Sequence, residues 1–147
     1  MTDFFAYTIE ILDINSNNNQ NIIKQLNTKI KLDDIKSGCI LPKFLKNNNF
    51  IILFKNNNSN EICSLIWYGY YFNNKFGNFL HINFSFTFVK FRNKGFNKLL
   101  RLELEKICIK EKFQYITSSP FEDSPSTKIL INLGYHNEKS FFYKKII

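Results

Sequence analysis

A chain of 147 residues carrying 17 phenylalanines is long and apolar enough to bury one core, which argues against wholesale disorder. Cys39, Cys63 and Cys108 lie far apart and are odd in number, which argues against a disulfide framework and leaves no pair with metal-ligand spacing; they are expected to fill core positions in a reducing compartment. A formal charge of +8 attracts anions (nucleic acid, an acidic membrane face or a phosphorylated ligand) and speaks weakly against a polycationic substrate such as a polyamine.

Residues 4–12 alternate and predict a first strand. Residues 21–26 and 32–35 predict two short helices, closing near Gly38 and before Pro42. The asparagine runs at 17–19, 47–49 and 56–58 read as loop padding, since Asn favours turns. Residues 50–55 predict a short apolar strand, and residues 61–72 a longer one rich in β-branched and aromatic side chains. After a turn at 74–78, the strand over 79–89 shows the clearest alternation. It places Leu80, Ile82, Phe84, Phe86 and Phe88 on one face, the natural core face for the helix that follows, and His81, Asn83, Ser85 and Thr87 on the other. That helix follows Lys90-Phe91-Arg92-Asn93-Lys94-Gly95 and runs to about Lys112, with Phe96, Leu100, Leu104, Ile107 and Cys108 as its buried stripe. Residues 114–118 predict a short strand. Ser124 reads as an N-cap with Pro125 at the first helical position, and the helix through Ile129, Leu130 and Leu133 stops at Gly134. Residues 135–147 predict a final strand or hairpin.

Short turns make the three central strands antiparallel, whereas the strand–helix–strand unit after them needs a parallel crossover. The expected fold is α/β, a mixed sheet with helices on both faces, in a single domain spanning residues 1–147. The uncharged stretch at 76–89 is too short for a membrane span, and Met1-Thr2-Asp3-Phe4 lacks the basic region of a signal peptide, so a cytoplasmic location is expected.

The segment carrying chemistry is 79–104, where a strand ends and a helix begins at a glycine. A helix start presents unpaired N–H groups and the positive end of its dipole, and so holds phosphate. Gly95 lets backbone approach a ligand, while Arg92, Lys94 and Lys98 add charge. Arg92-Asn93-Lys94-Gly95-Phe96-Asn97 resembles the (Gln/Arg)-x-x-Gly-x-(Gly/Ala) motif of the GNAT N-acetyltransferase superfamily, which opens the helix cradling the pyrophosphate of acetyl-CoA. Ile131-Asn132-Leu133-Gly134-Tyr135 is similar to the Leu-Gly-Phe signature that closes the next helix of that family. The resemblance covers roughly the second half by motif and the first half by order of elements only.

The resemblance implies a GNAT-like sheet and transfer of acetyl from acetyl-CoA, as co-substrate, to an amine. It implies that backbone at Ser85, Phe86 and Thr87 lines the pantetheine arm and that N–H groups over Asn93, Lys94, Gly95, Phe96, Asn97 and Lys98, with Arg92, hold the pyrophosphate. It further implies that the Thr87 strand splays from the strand at Gln114, leaving a gap for the pantetheine. Asn97 departs from the usual Gly or Ala, and Leu130 stands where many members carry an acidic Tyr. His81, on the same strand, stands at a spacing where some members that modify protein lysines place a catalytic Glu, and a neutral imidazole suits the deprotonation of an amine; a satisfied core histidine is the competing reading. His136 reads as exposed, and Tyr68, Tyr70 and Tyr71 as packing residues that can also line an acceptor pocket.

The expected acceptor is a small molecule, such as an amino-sugar phosphate, with a protein lysine or N-terminus left open as the alternative; no membrane or nucleic-acid partner is expected, and a homodimer is left open. Two rivals remain. One is a CoA-binding module without turnover, supported by Leu130 and Asn97. The other is a single-stranded RNA binder using Phe84, Phe86 and Phe88 beside Lys90, although the glycine pattern of an RRM strand is missing. A Walker loop is excluded because Phe96 follows Lys94-Gly95.

Overall fold

The fold is described from a computed structural model that covers residues 4–33, 41–42, 48–120, 125–138 and 141–147. Seven strands form one sheet in the order β1-β2-β3-β4-β5-β7-β6. β1 (Tyr7–Asp13), β2 (Asn49–Asn56), β3 (Ile62–Asn73) and β4 (Gly77–Thr87) pair antiparallel in succession. β4 and β5 (Tyr115–Ser118) are parallel, joined across the helix α2 (Phe96–Glu111). β6 (His136–Glu138) and β7 (Phe141–Lys145) make a hairpin, and β7 pairs antiparallel with β5. The first strand starts late because Phe4–Ala6 form a 3-10 turn.

The helices occupy both faces, as expected. On one face α1 (Gln20–Asp33) buries Ile23, Leu26 and Ile30 against Ile51, Leu53, Leu65 and Phe86. The other face carries α2 and α3 (Pro125–Asn132), whose Phe96, Leu100, Leu104, Cys108 and Leu130 pack on Ile52, Ile66, Tyr68, Leu80, Ile82 and Ile116. α2 ends where Lys112 turns left-handed, and Tyr135 N–H bonds back to the Leu130 carbonyl at 3.0 Å after Gly134 at φ +86°, the glycine stop expected for α3. One helix replaces the two expected after β1: Leu32 and Asp33 finish α1, while residues 34–35, Gly38 and the Ser124 cap lie outside the described residues. Cys63 and Cys108 are buried free thiols that burial pushes up to about 11 and about 12; Cys39 lies outside the described residues. No helix among the described residues is long and apolar enough to cross a membrane.

The alternation expected along β4 is broken. Trp67 pairs with Phe84 and Tyr68 with Ile82, so Asn83 is an extra residue on β4. A bulge of one residue exchanges the faces beyond it. Leu80 and Ile82 meet the α2 face, whereas Phe84 and Phe86 pack with the α1 core. The phenylalanine row is thus not the single core face for α2, and Phe86 is 7% exposed.

Candidate active site

Three features converge where β4 meets β5. The first is a fork. The parallel register runs from Phe79–Tyr115 to Ile82–Ser118 and ends there, while β4 continues to Thr87. Residues 83–87 lie beyond that register, and the bulge sits at the branch point. The pairing ends on the stretch of β4 where the resemblance implies that the Thr87 strand parts from its neighbour.

The second feature is the turn from β4 into α2. Val89–Phe91 form a 3-10 turn, Asn93 and Gly95 take left-handed φ values of +62° and +87°, and α2 begins at Phe96. No side chain caps the helix at Gly95. A helix start presents N–H groups and the positive end of its dipole, to which an anion is drawn. Arg92, Asn93, Lys94, Gly95 and Lys98 are all exposed there. Arg92 braces the turn, since its Nε donates to the Thr87 carbonyl at 2.9 Å and its guanidinium lies over the Phe86 ring. Asp33 at the end of α1 accepts from Val89 N–H at 2.8 Å. Phe96 contributes backbone only: its ring is 1% exposed, packed edge-on against Tyr7, Phe54 and Phe91. Phe86 likewise has its side chain in the α1 core. Thr87 Oγ1 is engaged with Ser64 Oγ at 2.9 Å.

The third feature is a polar cluster on the α1 side of the sheet. His81 lies opposite Thr117 in the β4–β5 register, with Nδ1 2.6 Å from Thr117 Oγ1. Burial holds its pKa below the ordinary value of 6.5, which favours the neutral ring. Tyr71 meets the His81 ring edge-on. Its hydroxyl reaches Asn49 Oδ1 at 3.3 Å and receives Asn83 Nδ2 at 3.3 Å. Trp67 Nε1 donates to the same Asn49 oxygen at 3.0 Å. Gly69 makes this network fit, because a Cβ there would come within 2.5 Å of Asn49 Oδ1 and 2.9 Å of the Tyr71 ring.

Several expectations need correction. His81, Asn83 and Ser85 do not share a face: past the bulge Ser85 points to α2, where it accepts from Arg101 Nη2 at 3.1 Å. Tyr68 and Tyr70 do not line a pocket with Tyr71. They pack in the α2-face core, against Phe50 and Phe113 among others. The expected buried stripe of α2 omits Arg101, which is 1% exposed, and includes Ile107, which is only partly buried. Asn49 is no loop padding but a buried residue of β2. Leu130 is fully buried in the α2-face core, and His136 is exposed as expected.

No protein-family model and no curated protein sequence matches the chain. Solved structures do match. An aminoglycoside acetyltransferase from an uncultured soil metagenomic sample superposes with a TM-score of 0.72 at 14% identity, covering 91% of each chain. A GNAT-family acetyltransferase from Staphylococcus aureus gives 0.65 at 14% identity over 95% of this chain and 100% of its own. A polyamine N-acetyltransferase from Drosophila melanogaster gives 0.66 at 10% identity over 95% and 99%. The chain has the GNAT fold. Within the GNAT fold, the forked β4–β5 pair and the glycine-opened α2 of this chain stand together at one end of the sheet, and His81 stands two residues before the fork.

Proposed function

We propose that the chain is an acetyl-CoA-dependent N-acetyltransferase acting on a primary amine. The observation that carries this reading is the fork leading directly into the uncapped, basic start of α2. The thioester arm takes the gap beside residues 83–87 and the pyrophosphate takes the N–H groups over 93–98. His81 serves as the base. An alkylamine is mostly protonated near neutral pH, and in the tautomer whose Nδ1–H donates to Thr117 Oγ1, 2.6 Å away, the ring offers Nε2 to receive the amine proton. The free amine then attacks the thioester carbonyl, and the tetrahedral oxyanion is met by β4 backbone N–H groups near Asn83. Collapse breaks the C–S bond and releases CoA thiolate, whose conjugate acid has a pKa near 8.5, and the proton that the acylated nitrogen sheds reaches that thiolate through water. Leu130 supplies no acid.

The acceptor is a small molecule carrying its amine beside an anionic group, an amino-sugar phosphate being the model compound. The net charge of +8 supports an anion. The cluster of His81, Tyr71, Asn83, Asn49 and Trp67 holds no carboxylate, so nothing within it would draw in a polycation. The test is thiol release from acetyl-CoA across a panel of amino-sugar phosphates, aminoglycosides, polyamines and lysine peptides. Turnover with the phosphorylated amines supports the reading. Turnover with polyamines alone overturns the acceptor class, and a raised melting temperature with acetyl-CoA but no turnover on any amine favours a CoA-binding module.

A further inference from the structure

Arg101 sits within α2 with its side chain turned under the sheet and 1% exposed. Its fork joins two elements. Nε donates to Asn97 Oδ1 at 2.8 Å, in the first turn of α2, and Nη2 donates to Ser85 Oγ at 3.1 Å, on the half of β4 beyond the bulge. Nη1 is buried without a hydrogen-bond partner, as is the hydroxyl of nearby Tyr135. Among the described residues no carboxylate is paired with this guanidinium. Burial lowers its pKa to about 10, which still leaves it charged near neutral pH.

A buried charge without a counter-ion is destabilising, and an apolar side chain of similar volume would pack there at less cost. What Arg101 supplies in return is a fixed span. On the acetyl-CoA reading, Asn97 belongs to the helix start proposed to hold the phosphates, and Ser85 to the strand segment proposed to line the thioester arm. Without the Asn83 bulge Ser85 would face α1, out of reach of α2. The rigid planar fork holds both partners at once, which the single ammonium of a lysine cannot reproduce. Asn97, the residue departing from the family's usual Gly or Ala, is the one that receives Nε.

We propose that Arg101 is a positioning residue that locks the start of α2 to the released half of β4, so that the nucleotide and acyl-pantetheine halves of acetyl-CoA bind as one ligand. This rests on the acetyl-CoA reading above. Two linked binding halves gain from each other only when their sites are held at the right separation.

The experiment is calorimetry with two probes, acetyl-CoA and 3′-phosphoadenosine 5′-diphosphate, which carries the nucleotide half alone. For Arg101→Met we expect acetyl-CoA affinity to fall about 10- to 100-fold, part of the roughly 10²- to 10⁴-fold that two linked binding halves gain from correct spacing. The nucleotide probe should change by less than about 2-fold, because its donors lie together in the 92–98 turn and helix start, on one side of the span that Arg101 bridges. Arg101→Lys should keep the charge yet fail to restore acetyl-CoA binding. Ser85→Ala, which removes the β4 anchor and leaves the 92–98 turn untouched, should show the same split and carries the test if Arg101→Met does not fold. Equal weakening of both probes, or full rescue by lysine, overturns positioning in favour of simple charge. Unchanged acetyl-CoA affinity in every folded variant also overturns it. A wild-type chain that binds neither probe overturns the acetyl-CoA reading itself, and this proposal with it.

Discussion

The two halves of β4 differ in their neighbours. Residues 79–82 are paired on both edges, with β3 and with β5, and their side chains face as simple alternation dictates. Residues 83–87 keep β3 but leave β5, and the bulge at Asn83 has exchanged their faces. The paired half holds a side chain suited to proton transfer: His81 is clamped by Thr117 from the neighbouring strand. The released half is steadied from outside the sheet, by Arg101 below and Arg92 at its end. One extra residue thus divides a single strand into a segment paired on both edges, which holds the proposed base, and a segment paired with β3 alone among the described residues, which the acetyl-CoA reading gives to the thioester arm. Rigid placement of the reacting group and accessible backbone for the cofactor are separate requirements, and the bulge lets adjacent residues meet both.

Removing His81 gives the sharpest break between the halves. His81→Ala should lose roughly 10²- to 10⁴-fold in kcat/KM, the range of a general base, with acetyl-CoA affinity unchanged. In the wild type, burial holds the His81 pKa below 6.5, so the acid limb of kcat/KM should fall below the ordinary histidine value. The same shift affects stability. Below pH 6.5 the unfolded ring takes up a proton that the native ring refuses, so stability is lost as the pH drops from 6.5 through the native pKa. That acid loss should be missing from melting curves of His81→Ala. A mutant that melts early but keeps the wild-type pH–rate profile would make His81 structural.

Gly95→Val tests the released half with a smaller effect. A β-branched residue at φ +87° carries backbone strain on the order of 1–3 kcal/mol, which the turn relieves by moving its N–H groups. Acetyl-CoA affinity should fall about 5- to 150-fold, that strain expressed as a binding ratio, while kcat at saturation changes little. Unchanged affinity in a folded variant would place the phosphates elsewhere.

The order of strands and helices was legible because it is written locally. Alternation over 79–89, the helix start at Gly95 and the helix stop at Gly134 depend on neighbouring residues alone. The bulge was not legible, since Leu80, Ile82, Phe84, Phe86 and Phe88 alternate as an unbroken strand would; only pairing with Trp67 and Tyr68 reveals the extra residue. Arg101 was passed over although it lies one turn beyond Asn97 and one residue after buried Leu100, a charged residue on the apolar side of a helix. Asn49 was hidden in an asparagine run, and its role depends on the absent Cβ of Gly69 on the neighbouring strand. His81 stood out as a polar residue in a central strand, but its partner Thr117 lies across a crossover that no local pattern encodes.

Thr117→Val carries the smallest expected effect and gives the most detail on the proposed base. Valine keeps the shape of this 3% exposed side chain and removes the hydroxyl 2.6 Å from His81 Nδ1. Losing one hydrogen bond costs about 1 kcal/mol, roughly a 5-fold drop in kcat/KM, through looser orientation of the ring. Acetyl-CoA affinity should hold, because the phosphate-facing turn lies at the far end of the released half. The direction in which the acid limb moves then reports the tautomer. If Nδ1–H donates to Thr117, the hydroxyl stabilises the imidazolium more than the neutral ring, and its loss shifts the limb to lower pH. If the hydroxyl instead donates to Nδ1, it stabilises the neutral ring, and its loss shifts the limb to higher pH. Only the first arrangement leaves Nε2 with the lone pair needed to take a proton from the amine. A limb that moves up in Thr117→Val would therefore remove His81 Nε2 as the base, even if His81→Ala had proved nearly inactive.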